Sequence, residues 1–277
     1  MPWFEAADGQ RLWYQVEGAD DRPAVLLLHG FAQTAATFDA LAARLAERWR
    51  TVRVDLYGHG RSSIPDDPAR LGWEPTGRDL EALMGFLGAD RFALLGYSMG
   101  GRLALDFACR RPGRLWALVL ESASPGLGDA AERARRRADD EALAAAIETR
   151  GVEWFADWWA SLPLFAGHAR LDPAVRAAVR AMRAGQSARG LAQSLRGAGT
   201  GVQADWWPHL ARLAVPTLLV VGADDAKYAA INRRMAAALP AARLVTVPES
   251  GHTPHLEQPE RFTAAVAAHL AAAAPFL

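Results

Sequence analysis

Residues 92–102 read Phe-Ala-Leu-Leu-Gly-Tyr-Ser-Met-Gly-Gly-Arg, and no other stretch limits the fold so tightly. An apolar run stops at Gly96. Ser98 stands between Gly96 and Gly100, and an apolar helix is expected from Arg102 to Cys109. This is a G-x-S-x-G turn in a strand–turn–helix setting. Glycines on both sides of the serine let the strand and the helix approach closely, and a turn this tight forces strain on Ser98. Its hydroxyl is then expected above a sheet edge, beside the positive N-terminal end of a helix.

Strands are expected at Arg11 to Val16, Ala24 to Leu28, Thr51 to Leu56, Phe92 to Gly96, Leu115 to Leu120, Thr217 to Val221 and Arg243 to Val247. Between them, spacings of three and four predict helices at Leu41 to Trp49, Arg78 to Leu87, Ala229 to Leu239 and Glu260 to about Ala272. Continuous apolar strands alternating with helices predict an α/β fold, a mostly parallel sheet flanked by helices. The alternation fails between Asp129 and Leu213, where no strand pattern occurs. Aromatic residues are dense there: Trp154, Phe155, Trp158, Trp159, Phe165 and Trp206. Residues 1–128 and 214–277 are therefore expected to form one core, with 129–213 as a helical lid over the strand C-terminal ends. A length of 277 residues suits one such domain.

A serine hydroxyl needs a base, and the base needs an orienting carboxylate. His252 follows the last strand in Pro-Glu-Ser-Gly-His, a strand-end loop where catalytic groups gather, and His255 is the nearby alternative. The strand before it ends in Gly222-Ala223-Asp224-Asp225. Asp225 is the expected acid, Asp224 a turn residue, and Glu121, at the end of an earlier strand, a third candidate. Oxyanion donors are expected from the backbone N–H groups of Met99 and Phe31. His29, Asp55 and the Gly58-His59-Gly60 turn read as loop-bracing residues.

The net charge is zero, which gives no electrostatic basis for binding nucleic acid or an anionic membrane. No apolar run reaches membrane-spanning length, and Met1 to Glu5 has neither the basic nor the apolar region of a signal peptide. The lone Cys109 rules out an internal disulfide and fits the cytoplasm. No cluster of metal ligands and no phosphate loop occurs, so no cofactor is expected.

Over essentially the whole chain these residues resemble the α/β-hydrolase superfamily. Four further segments narrow the resemblance. They are Gly96 to Arg102; Glu121 to Leu127 running into Glu132 to Arg137; Phe155 to Trp159 with Pro163 to Phe165 and Ala181 to Arg183; and Gly222 to Tyr228, which holds the only lysine, Lys227. This set is similar to the 2-succinyl-6-hydroxy-2,4-cyclohexadiene-1-carboxylate synthases, lyases of menaquinone biosynthesis that eliminate pyruvate. The resemblance implies a polycarboxylate small-molecule substrate. It implies substrate contacts from Arg102, Arg136 and Arg183 and from the aromatic residues Tyr97 and Trp158. Arg133, Arg135 and Arg137 lie one register slip from Arg136. The resemblance also supports Asp225 over Asp224. Guanidinium forks suit carboxylates, and a serine relayed to a histidine can remove a proton α to a carbonyl without an acyl-enzyme. Carboxylesterases and C–C hydrolases use the same residues for water attack, and a ligand sensor could retain them; neither explains the arginines.

Overall fold

The structure, a computed structural model, describes residues 3–274. Eight strands form one sheet: β1 (Trp3–Glu5), β2 (Arg11–Glu17), β3 (Ala24–Leu28), β4 (Arg50–Val54), β5 (Phe92–Tyr97), β6 (Leu115–Glu121), β7 (Thr217–Gly222) and β8 (Ala242–Val247). Their spatial order is β1-β2-β4-β3-β5-β6-β7-β8. The pairings of β1 with β2 and of β2 with β4 are antiparallel, and all others are parallel. The α/β architecture is thus the expected one, with β1 as a short edge strand that the sequence pattern did not reveal.

The side-chain alternation along each strand divides the core into two layers. Leu26, Leu28, Leu94, Leu118, Leu120 and Leu219 face one side. There they meet α2 (Trp73–Phe86), α3 (Met99–Arg110) and α7 (Ala226–Ala238). Val25, Leu27, Leu95, Val119, Leu218 and Val220 face the other, with α1 (Asp39–Leu45) and α9 (Pro259–Ala273). Every residue of β3, β5, β6 and β7 is buried, which accounts for their unbroken apolar character.

Several boundaries differ from expectation. The helix α1 stops at Leu45 and closes through turns, Trp49 N–H donating to Leu45 O, because the chain must extend again from Arg50. The helix α2 begins at Trp73, since Pro75 is tolerated in a first turn where no amide donor is needed.

Between β6 and β7 the chain is helical: α4 (Ala130–Ala160), α5 (Pro173–Ala184) and α6 (Ala188–Ala198), with 3-10 turns at Pro163–Arg170, Thr200–Val202 and Trp207–Arg212. Asp129, Asp172 and Ser187 cap the three helices with their side-chain oxygens. Gly151 interrupts α4 with φ 83°. The insertion has its own apolar centre, in which Ile147, Phe155, Leu191 and Leu195 pack with Ala32 of the core. Trp206 does not join the insertion's aromatic cluster. It lies on the return path to β7, and its Nε1–H donates to Asp106 Oδ1 on α3 at 3.0 Å. The short helix α8 (Pro254–Glu257) follows β8 after the loop 248–253, which carries His252, and precedes α9.

Candidate active site

Ser98 sits between β5 and α3 with φ 50° and ψ −107°. No L-residue favours this conformation, and the surrounding structure holds it. A Cβ on Gly96 would collide with the Gly100 carbonyl, so the two arms meet only because Gly96 has none. The Ser98 amide donates to Glu121 O on the neighbouring strand at 2.8 Å.

Ser98 Oγ lies 3.0 Å from His252 Nε2. His252 Nδ1 lies 2.7 Å from Asp225 Oδ2, and both side chains are buried. Asp225 also caps α7, its Oδ1 accepting from Tyr228 N–H at 3.1 Å, so its carboxylate is held from two sides. The neighbouring candidates lie apart from this line. Asp224 is half-exposed and pairs with Arg170 at 2.7 Å. Glu121 binds His255, with Oε1 2.8 Å from His255 Nδ1.

The backbone N–H groups of Phe31 and Met99 find no acceptor among the described residues. His29 braces the first of these loops. Its Nδ1 donates to Gly30 O at 2.8 Å and its Nε2 accepts from Leu56 N–H at 2.9 Å, a pattern that requires a neutral ring. Burial lowers its pKa to about 4, in agreement. Asp55 accepts from Ala35 and Arg61 amides at 2.8 and 2.9 Å, and so braces its turn. Burial raises the Cys109 thiol to about 12, which leaves it inert near neutral pH.

Above Ser98 lies a cavity of about 400 Å³. Core residues Phe31, Ser98, Met99, Arg102 and His252 line it, together with Arg136, Trp159, Leu162 and Thr200 of the insertion and Lys227 and Tyr228 of α7. Arg102 is only 8% exposed. It donates to Thr200 Oγ1, lies 5.4 Å from the Trp73 ring and pairs with no carboxylate among the described residues. Burial lowers its pKa to about 10, so it stays cationic at neutral pH. A buried cation without a counter-charge is costly and is suited to an incoming anion. Arg136 also reaches the cavity, anchored on Asp140 at 2.8 Å. Its neighbours turn elsewhere: Arg133 binds the carbonyls of Leu127 and Gly128, Arg137 faces Gly201 O, and Arg135 is exposed.

The remaining expected contacts lie outside the cavity wall. Arg183 is buried beside Phe165, its guanidinium 4.6 Å from that ring, and it makes no side-chain hydrogen bond among the described residues. Burial lowers its pKa. Tyr97 is buried behind the histidine, its ring 5.5 Å from that of His252 and 4.8 Å from that of His255. Trp158, expected in the pocket, is 36% exposed and stacks on Trp154 at 5.7 Å, away from the cavity wall. Trp159 takes that place, since one residue along a helix turns the side chain by about 100°. Lys227 and Tyr228 were missed as wall residues. Their signal was available: they occupy the first turn of the helix that Asp225 caps.

The sequence model of the alpha/beta hydrolase family matches residues 25–265. The chain belongs to this family. Among relatives of this alpha/beta hydrolase, a Serratia proteamaculans (strain 568) protein named 2-succinyl-6-hydroxy-2,4-cyclohexadiene-1-carboxylate synthase is 34% identical, over 90% of this chain and 93% of its own. A Bacillus subtilis (strain 168) protein that carries the same name provisionally is 39% identical, over 92% of this chain and 93% of its own. Among solved structures, MenH from S. aureus superimposes with a TM-score of 0.89 at 30% identity, covering 95% of this chain and 99% of that one.

Proposed function

We propose that this alpha/beta hydrolase is a 2-succinyl-6-hydroxy-2,4-cyclohexadiene-1-carboxylate synthase, a lyase that eliminates pyruvate from 2-succinyl-5-enolpyruvyl-6-hydroxy-3-cyclohexene-1-carboxylate in menaquinone biosynthesis. The observation that carries this reading is Arg102. It is a buried guanidinium without a carboxylate partner among the described residues, in the wall of the cavity that Ser98 and His252 open into. A polycarboxylate substrate supplies the missing counter-charge, and a neutral ester does not. The synthase relatives, matched over nine-tenths of the chain, point the same way.

In this reading Ser98 Oγ, with His252 as its base and Asp225 orienting the imidazole, removes a proton α to a substrate carbonyl. The N–H groups of Phe31 and Met99 hold the oxyanion of the resulting enolate. Collapse of the enolate forms a ring double bond and breaks the bond to the enolpyruvyl oxygen. Pyruvate leaves, taking up the proton that His252 had gained. Arg102 and Arg136 bind carboxylates in the cavity. Arg183 joins them if the substrate's far end reaches past Phe165, and Tyr97 supports His252 from behind. The segment 129–213 serves as a lid, since it supplies Trp159 and Arg136 to the wall. The lone cysteine accords with a cytoplasmic enzyme.

The test is direct. Pyruvate release from the cyclohexene substrate is followed with a coupled dehydrogenase, and an activated acetate ester is offered in parallel. Rapid pyruvate release and slow, burst-free ester cleavage are expected. A substrate-derived adduct on Ser98 in quenched samples, or ester cleavage that outruns pyruvate release, would make the protein a hydrolase.

A further inference from the structure

Glu121 ends β6, directly opposite Tyr97 of β5 in the sheet register. It is fully buried and is not the acid bonded to His252. Its two polar ends serve different parts of the site. The backbone carbonyl accepts the Ser98 amide at 2.8 Å and so holds the strained turn. The carboxylate reaches to the other side and takes the His255 amide at 2.9 Å and the His255 ring Nδ1 at 2.8 Å. His255 lies three residues after His252, at the start of α8. One residue therefore ties the nucleophile's backbone to the loop that carries the base. The His255 ring also packs edge-on against Tyr97, which in turn packs against His252.

The loop is held from its other flank as well. Glu257 takes the Gly251 amide at 2.8 Å and the Thr253 amide at 3.1 Å. The amides on either side of His252 thus end on one buried carboxylate and the His255 amide on a second. Helix and strand ladders do not supply these bonds, and a buried amide left unpaired would be expensive.

We propose that Glu121 is a positioning residue for the proton-transfer pair: its carboxylate, through His255, sets the Ser98–His252 geometry, and reach matters to this role, not charge. The proposal rests on the reading that Ser98 and His252 react as a pair, but not on the identity of their substrate. Two substitutions separate reach from charge. Glu121→Asp keeps the charge and withdraws the carboxylate by one methylene, out of hydrogen-bond distance of the His255 amide. Glu121→Gln keeps the reach. Its amide oxygen can accept from His255 N–H while its NH2 donates to Nδ1 of the other imidazole tautomer, whose Nε2–H then faces Thr37 Oγ1 at 3.2 Å.

The experiment measures the inactivation rate by a fluorophosphonate, which reports serine–histidine alignment without any natural substrate, together with kcat and KM for pyruvate release. Glu121→Asp is expected to slow inactivation and kcat by about 100-fold with little change in KM, the scale of an ångström misplacement, and Glu121→Gln to stay within about five-fold of wild type. Thermal melts establish that both variants are folded. A larger loss in Glu121→Gln than in Glu121→Asp would overturn the proposal in favour of a charge effect. Wild-type rates in a folded but less stable Glu121→Asp would overturn it in favour of a purely structural role. A wild-type chain that resists the fluorophosphonate would remove the reactive serine itself, and the positioning role with it.

Discussion

At the scale of single residues, two kinds of buried charge have to be told apart. Asp225, Glu121 and Glu257 each receive donors from the protein and are complete without a ligand. Arg102 and Arg183 are not complete, since neither has a carboxylate partner among the described residues. Arg102→Ala is therefore expected to cost about 2–4 kcal/mol in kcat/KM for the polycarboxylate substrate, read from steady-state kinetics. Arg102→Lys should recover only part of this, because an ammonium lacks the two-point fork. Full activity in Arg102→Ala would contradict anion binding at this position. The acid assignment has its own check. Asp225→Asn is expected to lower turnover by about 10²- to 10⁴-fold. If Asp224→Asn had the larger effect instead, the hydrogen-bonded line through Asp225 would not be the working one.

At the scale of elements, the docking of α6 decides the cavity. This helix carries Ser194, Leu195 and Ala198 into the wall, and Thr200 follows it. It lies against the 3-10 turn at Pro68–Leu71 so closely that a Cβ on Gly197 would strike the Pro68 carbonyl. That obstacle is backbone and cannot swing aside. Gly197→Ala is expected to destabilise by about 1–3 kcal/mol, the usual range for overpacking. At about 2–4 °C per kcal/mol for a chain of this size, calorimetry should show a clear fall in Tm. A rise in KM should accompany it, because the displaced helix carries wall residues. An unchanged Tm would mean that α6 tolerates a different seat.

At the scale of the whole molecule, burial pushes down the pKa of His29, His59, His168 and, in direction, His269. Burial lowers His29 from 6.5 to about 4, His59 to about 3 and His168 to about 4. In the unfolded chain they bind protons at the ordinary value, so the folded state loses ground once the pH falls below 6.5. Their contribution is present above pH 6.5 and declines toward pH 4, by about 1.4 kcal/mol per pH unit for each histidine that stays neutral. Carboxylates held down by arginines, such as Glu74, Glu141 and Glu148, add their own loss only near pH 5 and below, so the step from pH 6.5 to 5.5 is the one that reports the histidines. Urea unfolding at pH 7.5, 6.5, 5.5 and 4.5 should show a midpoint constant at first and then steadily falling. A flat midpoint from 6.5 to 4.5 would mean that these rings become charged in the folded protein without penalty.

The sequence by itself determined the α/β core and the meeting of Ser98, His252 and Asp225. The reason is that these depend on short-range signals. Unbroken apolar strands mark a sheet buried on both faces, glycine spacing marks the turn at Ser98, and each of the three residues follows the C-terminal end of its own strand. Such ends share one edge of a parallel sheet wherever the intervening chain goes. The tertiary structure alone decided what surrounds them. It selected Arg136 among four neighbouring arginines, put Trp159 in the place expected of Trp158, set Arg183 and Tyr97 behind the cavity wall, and joined Glu121 to His255. A helix turns about 100° per residue, so which side chain faces the cavity depends on how the insertion rotates as it docks. That rotation is fixed by contacts such as α6 on the Pro68 turn and Phe155 beneath Phe31, between residues far apart in sequence, and no local period records it.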